Sequence, residues 1–126
     1  MTVVLDAGGL LALEAGDRRL LAHLKGERLA GRTACTHGGV VGQVWRGGSG
    51  RQAPLAHALR HVATIPLDDA LGRRAGSLLA TSRTSDVIDA AVVLIADTAD
   101  RIFTSDPDDI EHLARAAGAD VEIVAI

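Results

Sequence analysis

Aromatic side chains are almost absent from this sequence. Its 126 residues include one tryptophan, one phenylalanine and no tyrosine. The core must therefore be built from alanine, valine, leucine and isoleucine. The shortage also argues against a protein that binds single-stranded nucleic acid by stacking bases on aromatic platforms, because such a protein needs several exposed rings.

Cysteine, lysine and long apolar runs are scarce as well. The single cysteine, Cys35, leaves no internal disulfide and no cysteine-based zinc framework, which fits a reducing cytoplasm. The single lysine, Lys25, argues against a receiver domain, which needs a lysine late in the chain. No stretch approaches the roughly 20 apolar residues of a membrane span, and no basic leader is present. We therefore expect a cytoplasmic protein without a membrane segment.

What remains is the composition of a globular protein. Hydrophobic residues make up 48% and charged residues 23%, and the length fits a single domain over residues 1–126. The net charge of −3 does not indicate a generally basic surface for nucleic acid. The Gly-rich residues 47–50 (GGSG) predict a break between two helices.

Short apolar runs alternate with segments of helical periodicity along the whole chain. This alternation predicts an α/β fold with a mainly parallel central sheet. The predicted strands are residues 3–6, 32–36, 62–66, 101–104 and 121–126, and the predicted helices are residues 9–15, 17–29, 38–46, 51–61, 69–81, 86–98 and 107–117.

Four aspartates stand where the carboxyl ends of such strands would meet. Asp6 closes the first strand, and Asp106 follows the fourth one directly. Asp86 and Asp89 open the apolar helix over 86–98. Carboxylates that converge in one cleft repel each other, and a divalent cation relieves the repulsion. Because these ligands are all oxygens, they favour Mg²⁺ or Mn²⁺ over zinc or copper.

Each aspartate also has a purely structural interpretation as a helix cap. Asp106 precedes a proline, Asp86 and Asp89 have the spacing of an N-cap and the third helical residue, and Asp6 precedes a helix. Taken singly, capping is the more common role. Asp89 favours the metal-binding interpretation instead. It stands at the start of an apolar helix, where a buried charge needs a partner or a metal.

The sequence resembles the four ordered motifs of PIN domains, most closely the ribonuclease toxins of VapC type from bacterial toxin–antitoxin systems. The resemblance covers essentially the whole chain. The motifs are residues 3–6 (VVLD), 41–46 (VGQVWR), 86–90 (DVIDA) and 104–106 (TSD).

This resemblance implies a three-layer α/β/α sandwich and cleavage of RNA with Mg²⁺ or Mn²⁺. It implies Asp6, Asp89 and Asp106 as metal ligands, with Asp86 as a further catalytic acid that orients water. Supporting roles would fall to Gln43 and Asp109 near the metal, to Thr104 and Ser105 holding a metal-bound water, and to Arg46 and Arg51 at the RNA phosphates.

The resemblance also implies partners: an RNA substrate, a cognate antitoxin that occludes the cleft, and a second copy in a homodimer. The first helices carry more leucines than one inward stripe needs: Leu10, Leu11, Leu13, Leu20, Leu21, Leu24 and Leu29. We expect some of them to stay exposed and to receive an apolar helix of the antitoxin. The alternative is that a bent helical hairpin buries all of them.

Two departures from the family pattern keep other functions open. Gln43 stands where a glutamate is usual, and a neutral amide cannot offset cation charge. Residues 7–9 (AGG) lack the hydroxyl that often follows the first aspartate. The alternatives are a weakly active or inactive PIN-fold binding partner, and a phosphohydrolase with Asp6 as an aspartyl nucleophile. The second alternative is weakened by Gly8, which stands where that class places a second aspartate.

Overall fold

The computed structural model describes residues 2–47 and 50–126, which form five strands and seven helices. Gly48 and Ser49, within the predicted Gly-rich break, lie outside the described residues. The strands are β1 (Val3–Leu5), β2 (Ala34–His37), β3 (Val62–Ile65), β4 (Arg101–Thr104) and β5 (Glu122–Ala125). The helices are α1 (Ala7–Glu14), α2 (Arg18–Leu29), α3 (Gly38–Val44), α4 (Ala53–Leu59), α5 (Asp69–Ser82), α6 (Val87–Ile95) and α7 (Pro107–Ala117), with a 3₁₀ turn at Gly50–Gln52.

The strands form one sheet in the order β3-β2-β1-β4-β5. Every pairing between these described strands is parallel. β1 is the central strand, and its three residues are fully buried, as expected for a strand covered on both faces. The expectation of an α/β fold with a mainly parallel sheet is confirmed.

Helices cover both faces of this sheet. The chain runs outward from β1 to β2 and β3, and then returns past β1 to β4 and β5. Since crossovers between parallel strands are right-handed, the reversal of direction places α1–α4 on one face and α5–α7 on the other. Helices α5, α6 and α7 pack on one another, and α1 packs on both α3 and α4. The result is the three-layer α/β/α sandwich that the resemblance implied.

The core is aliphatic, as the shortage of aromatic residues required. Its largest fully buried side chains are leucines, isoleucines and valines together with His37. Phe103 on β4 is buried among them, whereas Trp45 stays 41% exposed.

Several element boundaries differ from the predicted ones, and three of these differences have a clear local cause. β2 begins at Ala34 because the backbone N–H of Arg32 still bonds to the last turn of α2, at the carbonyl of Glu27. α6 stops at Ile95 because Ala96 is extended and Asp100 accepts the N–H of Asp97. α3 stops at Val44, where the next residue turns to an extended conformation.

Candidate metal centre at the carboxyl edge of the sheet

The topology creates a crevice at the carboxyl end of β1. The connection after β1 leaves toward one face and the connection after its neighbour β4 leaves toward the other, which is the arrangement that forms ligand sites in open parallel sheets. Asp6 follows β1, and Thr104 ends β4. The sequence-predicted acids therefore gather at one edge of the sheet.

Asp6 is buried at this edge, with 4% of its surface exposed. Its Oδ1 accepts the backbone N–H of Gly9 at 3.0 Å, so it caps α1 as the structural interpretation expected. The hydroxyl of Thr104 also donates to it. Burial raises the pKa of Asp6 above its usual value despite these hydrogen bonds, and the charge of Asp106 raises it further.

Asp89 lies half-buried in the first turn of α6. Burial is the main cause that raises its pKa to about 6, followed by the charges of Asp86, Asp6, Asp106 and Asp109. In the described part of the chain, no hydrogen bond or ion pair stabilises its carboxylate. Asp89 is thus a carboxylate held among like charges.

Asp86 and Asp106 both precede helices but use their side chains differently. Asp86 is a true cap, because its Oδ1 accepts the N–H of Asp89 at 3.0 Å. Asp106 occupies the N-cap position of α7 without any side-chain cap bond. Capping therefore does not explain the Asp106 carboxylate, which is exposed beside the crevice. Asp109 is exposed in the first turn of α7 and lines the same small cavity as Asp86 and Asp89.

The two hydroxyl residues after β4 have different surroundings. Thr104 is fully buried, and its hydroxyl accepts the N–H of Asp106 at 2.9 Å while donating to Asp6. This hydroxyl therefore acts as both a hydrogen-bond acceptor and a hydrogen-bond donor. Ser105 is exposed and remains the one of the pair that is open to solvent.

Gln43 is exposed on α3, and no hydrogen bond of the described residues joins it to the acids. It lies one turn beyond Gly39 on the same helix face. At Gly39 a Cβ would lie only 2.5 Å from Cδ1 of Ile88, next to Asp89, so this face of α3 approaches the start of α6.

The predicted RNA-contacting arginines lie at the far end of α3. Both are exposed. The guanidinium of Arg46 folds back to donate to the carbonyls of Gly42 and Trp45, at 3.3 and 2.8 Å. Arg51 lies in the 3₁₀ turn that follows.

The donor set of this edge fits a hard divalent cation. It offers only oxygen atoms, and burial, followed by the charges of neighbouring acids, raises the pKa values of Asp6 and Asp89. The acids do not converge on a single point: within residues 2–47 and 50–126, no group of three or more His, Cys, Asp or Glu side chains has the geometry to hold a metal.

Sequence reasoning missed His37 as a residue of this region. His37 is fully buried. Its Nδ1 accepts the N–H of Gly39 at 3.1 Å, which leaves Nε2 protonated to donate to the carbonyl of Ile88 at 2.9 Å. It therefore ties the start of α3 to the start of α6. Its place between a strand and a helix-opening Gly-Gly is the signal that could have revealed this cap.

Cys35 and His37 lie two residues apart on β2, and no hydrogen bond among the described residues joins their side chains. Burial raises the pKa of the Cys35 thiol to about 11, and the charges of Asp100 and Asp97 add to the effect. A raised pKa disfavours the thiolate, so Cys35 is not activated as a nucleophile.

An apolar groove of about 360 Å³ runs between α2 and α4, away from the acids. Leucine, proline and alanine side chains form its floor, and its rim is basic. Floor residues are Leu13, Leu21, Leu24, Pro54 and Ala58, and rim residues are Lys25, Arg28, Arg32, His57 and His61. The expected exposure of leucines is confirmed for Leu11, Leu21 and Leu29, which are 52%, 42% and 78% exposed.

Comparisons with known proteins agree with this fold. No family model matches the sequence. No curated protein sequence matches it either. Among solved structures, the chain is similar to a chain of the crystal structure of VapBC2 from Rickettsia felis bound to a DNA fragment from their promoter, with a TM-score of 0.72. The match covers 98% of this chain and 99% of that chain at 12% sequence identity, a likeness of fold.

The described helices include none that is long and apolar enough to cross a membrane.

Proposed function

We propose that this protein is a Mg²⁺- or Mn²⁺-dependent endoribonuclease that hydrolyses RNA phosphodiester bonds, and that it is the toxin of a toxin–antitoxin pair. The observation that carries the proposal is the gathering of Asp6, Asp89 and Asp106 at the crevice beside β1, where their charges act on one another. Acids whose pKa values are raised by burial and by repulsion from neighbouring acids are typical of functional sites.

In this proposal the three acids hold the cation, and their surroundings fix where they stand. When bound, a divalent cation lowers the pKa of its water and stabilises the charge that develops on the phosphoryl group. Asp6 is oriented by the Gly9 N–H and the Thr104 hydroxyl. Oδ1 of Asp86 is occupied by the Asp89 N–H, which leaves Oδ2 to accept a hydrogen bond from the attacking water. Arg46 and Arg51 would contact RNA phosphates from the end of α3.

Cleavage assays on purified protein test this reaction. We expect RNA cleavage that requires Mn²⁺ or Mg²⁺ and stops with EDTA. Asp89→Asn should lower the rate at least about 100-fold, because it removes one charge from the ligand set. The matched control is Asp69→Asn, since Asp69 is an exposed acid of α5 that pairs with Arg73. Absence of cleavage by the wild type, or equal rates for wild type and Asp89→Asn, would contradict the proposal.

The proposed partners are a cognate antitoxin and a second copy of the chain. The similar structure is described as VapBC2 bound to DNA from their promoter, so a toxin–antitoxin pair is a natural expectation for this chain also. The groove between α2 and α4 supports an antitoxin that docks an apolar helix, because its leucine floor is open on the isolated chain. The homodimer rests on the family resemblance alone.

A second candidate function is a weakly active or inactive PIN-fold binding partner. The neutral Gln43 favours it, together with acids that do not converge on one point in the described part of the chain. A Mn²⁺ titration of wild type and Gln43→Glu separates the two. If Gln43 faces the cation, the added charge tightens Mn²⁺ binding, whereas no binding by either protein favours the inactive partner.

A further inference from the structure

The first turn of α1 touches the loop between β4 and α7 at one pair of residues, Gly8 and Ser105. A Cβ on residue 8 would lie 2.5 Å from Oγ of Ser105, 2.7 Å from its Cβ and 2.9 Å from its backbone nitrogen. Gly8 does not have a positive φ, so the backbone conformation does not demand glycine there. Space alone demands it, because Ser105 fills the volume that a side chain on residue 8 would take.

This contact lies between two of the proposed cation ligands. Asp6 is two residues before Gly8, and Asp106 directly follows Ser105. A second link joins the same two segments, since the Thr104 hydroxyl accepts the Asp106 N–H at 2.9 Å and donates to Asp6. Two links between two short segments leave little freedom in the separation of the backbone positions that carry Asp6 and Asp106.

We propose that Gly8 and Ser105 are a size-matched positioning pair that sets the separation of Asp6 and Asp106 for cation binding. The inference rests on the proposed function, adds Gly8 to its machinery and gives Ser105 a positioning role. It also gives Ser105, the exposed hydroxyl residue of this edge, a role different from that of the buried Thr104. Neither residue needs to touch the cation to act in this way.

A double-mutant cycle tests the pair, with Mn²⁺ affinity measured by calorimetry. Gly8→Ala should weaken Mn²⁺ binding about ten-fold or more, because its methyl group displaces the Ser105 loop that leads into Asp106. Adding Ser105→Gly removes two of the three obstructing atoms and should recover most of that loss. The control is Gly76→Ala on α5, where a Cβ meets no atom within 4 Å and the affinity should not change.

Melting temperatures without metal separate positioning from folding. A pair that only supports the fold would lower the melting temperature of Gly8→Ala and leave the Mn²⁺ affinity of the folded protein unchanged, which overturns the inference. Additive effects in the cycle overturn it as well.

If Gly8→Ala does not fold, Ser105→Ala decides, since loss of the hydroxyl should weaken Mn²⁺ binding several-fold and an unchanged affinity contradicts the proposal. A wild type that binds no Mn²⁺ contradicts the proposed function and this inference together, whereas equal binding by wild type and all variants contradicts this inference alone.

Discussion

Asp89 shows at the scale of one residue how a partly buried carboxylate lowers the stability of the fold. Its pKa of about 6 in the folded chain lies above the ordinary 3.8, so the folded state disfavours the charged form. Stability is therefore greatest below the ordinary pKa and is lost as the pH rises through about 6. At neutral pH the metal-free protein carries this penalty, and a bound cation would remove it.

Asp89→Asn should therefore raise the melting temperature of the metal-free protein at pH 7.5. We expect a gain of about 1 kcal/mol after allowing for the partial exposure of Asp89, or about 3 °C. The gain should vanish at pH 4, where the wild-type carboxyl is largely protonated. Calorimetry in EDTA at both pH values measures it, with Asp69→Asn as the control. An equal loss of stability at both pH values would show that Asp89 is a structural residue.

His37 carries a pH dependence of opposite sign. Burial lowers its pKa below the usual 6.5, and the hydrogen bond to the Ile88 carbonyl offsets this only in part. Its neutral form is required because Nδ1 accepts the Gly39 N–H. The stabilisation is complete above pH 6.5 and is lost as the pH falls below it, because the unfolded chain then takes up the proton first.

The variant His37→Asn isolates this effect. Asparagine can still cap α3 but cannot reach the Ile88 carbonyl, so we expect a loss of about 2 kcal/mol at pH 7.5. The loss should shrink at pH 5.5, where wild-type His37 itself becomes unfavourable. Urea unfolding at the two pH values provides the measurement, and His57→Asn, at an exposed histidine of α4, is the control. A loss that is the same at both pH values would rule out titration of His37.

At the scale of elements, Gln52 fixes the end of α3 and holds the loop after it against α1. This buried amide donates from Nε2 to Oε2 of Glu14 and to the carbonyl of Val44, at 3.1 and 3.0 Å. Its Oε1 accepts the N–H groups of Arg46 and Gly47, at 2.9 and 3.1 Å. One side chain thus joins α1, the end of α3 and the loop that carries Arg46.

Replacing Gln52 by leucine keeps the volume and leaves these partners without hydrogen bonds. We expect a loss of about 2–3 kcal/mol in unfolding free energy, measured by urea denaturation. Gln43→Leu is the matched control, because that glutamine is exposed on α3 and its replacement should change stability by less than about 0.5 kcal/mol. A loss for Gln52→Leu no larger than the control's would mean that water replaces these hydrogen bonds.

The same elements show how far the sequence could predict the structure. Asp6 and Asp106 were found because the ends of parallel strands meet at one edge, which requires only strand order along the chain. Gln52 gives no such signal, since its partners include Glu14, which lies far from it in sequence. The start of β2 was misplaced for a similar reason: Arg32 fits a strand by its neighbours, but its side chain pairs with the buried Glu27 of α2. Local patterns predicted the elements and the acids, while contacts between separate segments set the boundaries.

At the scale of the whole molecule, positive and negative charge lie in different places. Acids surround the crevice at the carboxyl edge of the sheet, whereas Lys25, Arg28, Arg32 and two histidines rim the groove between α2 and α4. An antitoxin segment that fits the groove should therefore combine apolar side chains for the floor with acidic residues at its flanks. Its continuation toward the crevice would need an arginine or lysine to meet the acids.

Leu21→Glu should abolish this docking and leave RNA cleavage unchanged, because Leu21 forms the groove floor and is no part of the crevice. The matched control is Leu29→Glu, at a leucine that is 78% exposed and lies outside the groove. Co-expression with the proposed antitoxin, followed by co-purification, measures binding, and the wild-type complex should weaken as salt rises. Antitoxin that occludes the crevice must also weaken Mn²⁺ binding, and Mn²⁺ must weaken antitoxin binding by the same factor. Retention of the partner by Leu21→Glu would place the interface elsewhere on the chain while leaving the ribonuclease proposal intact.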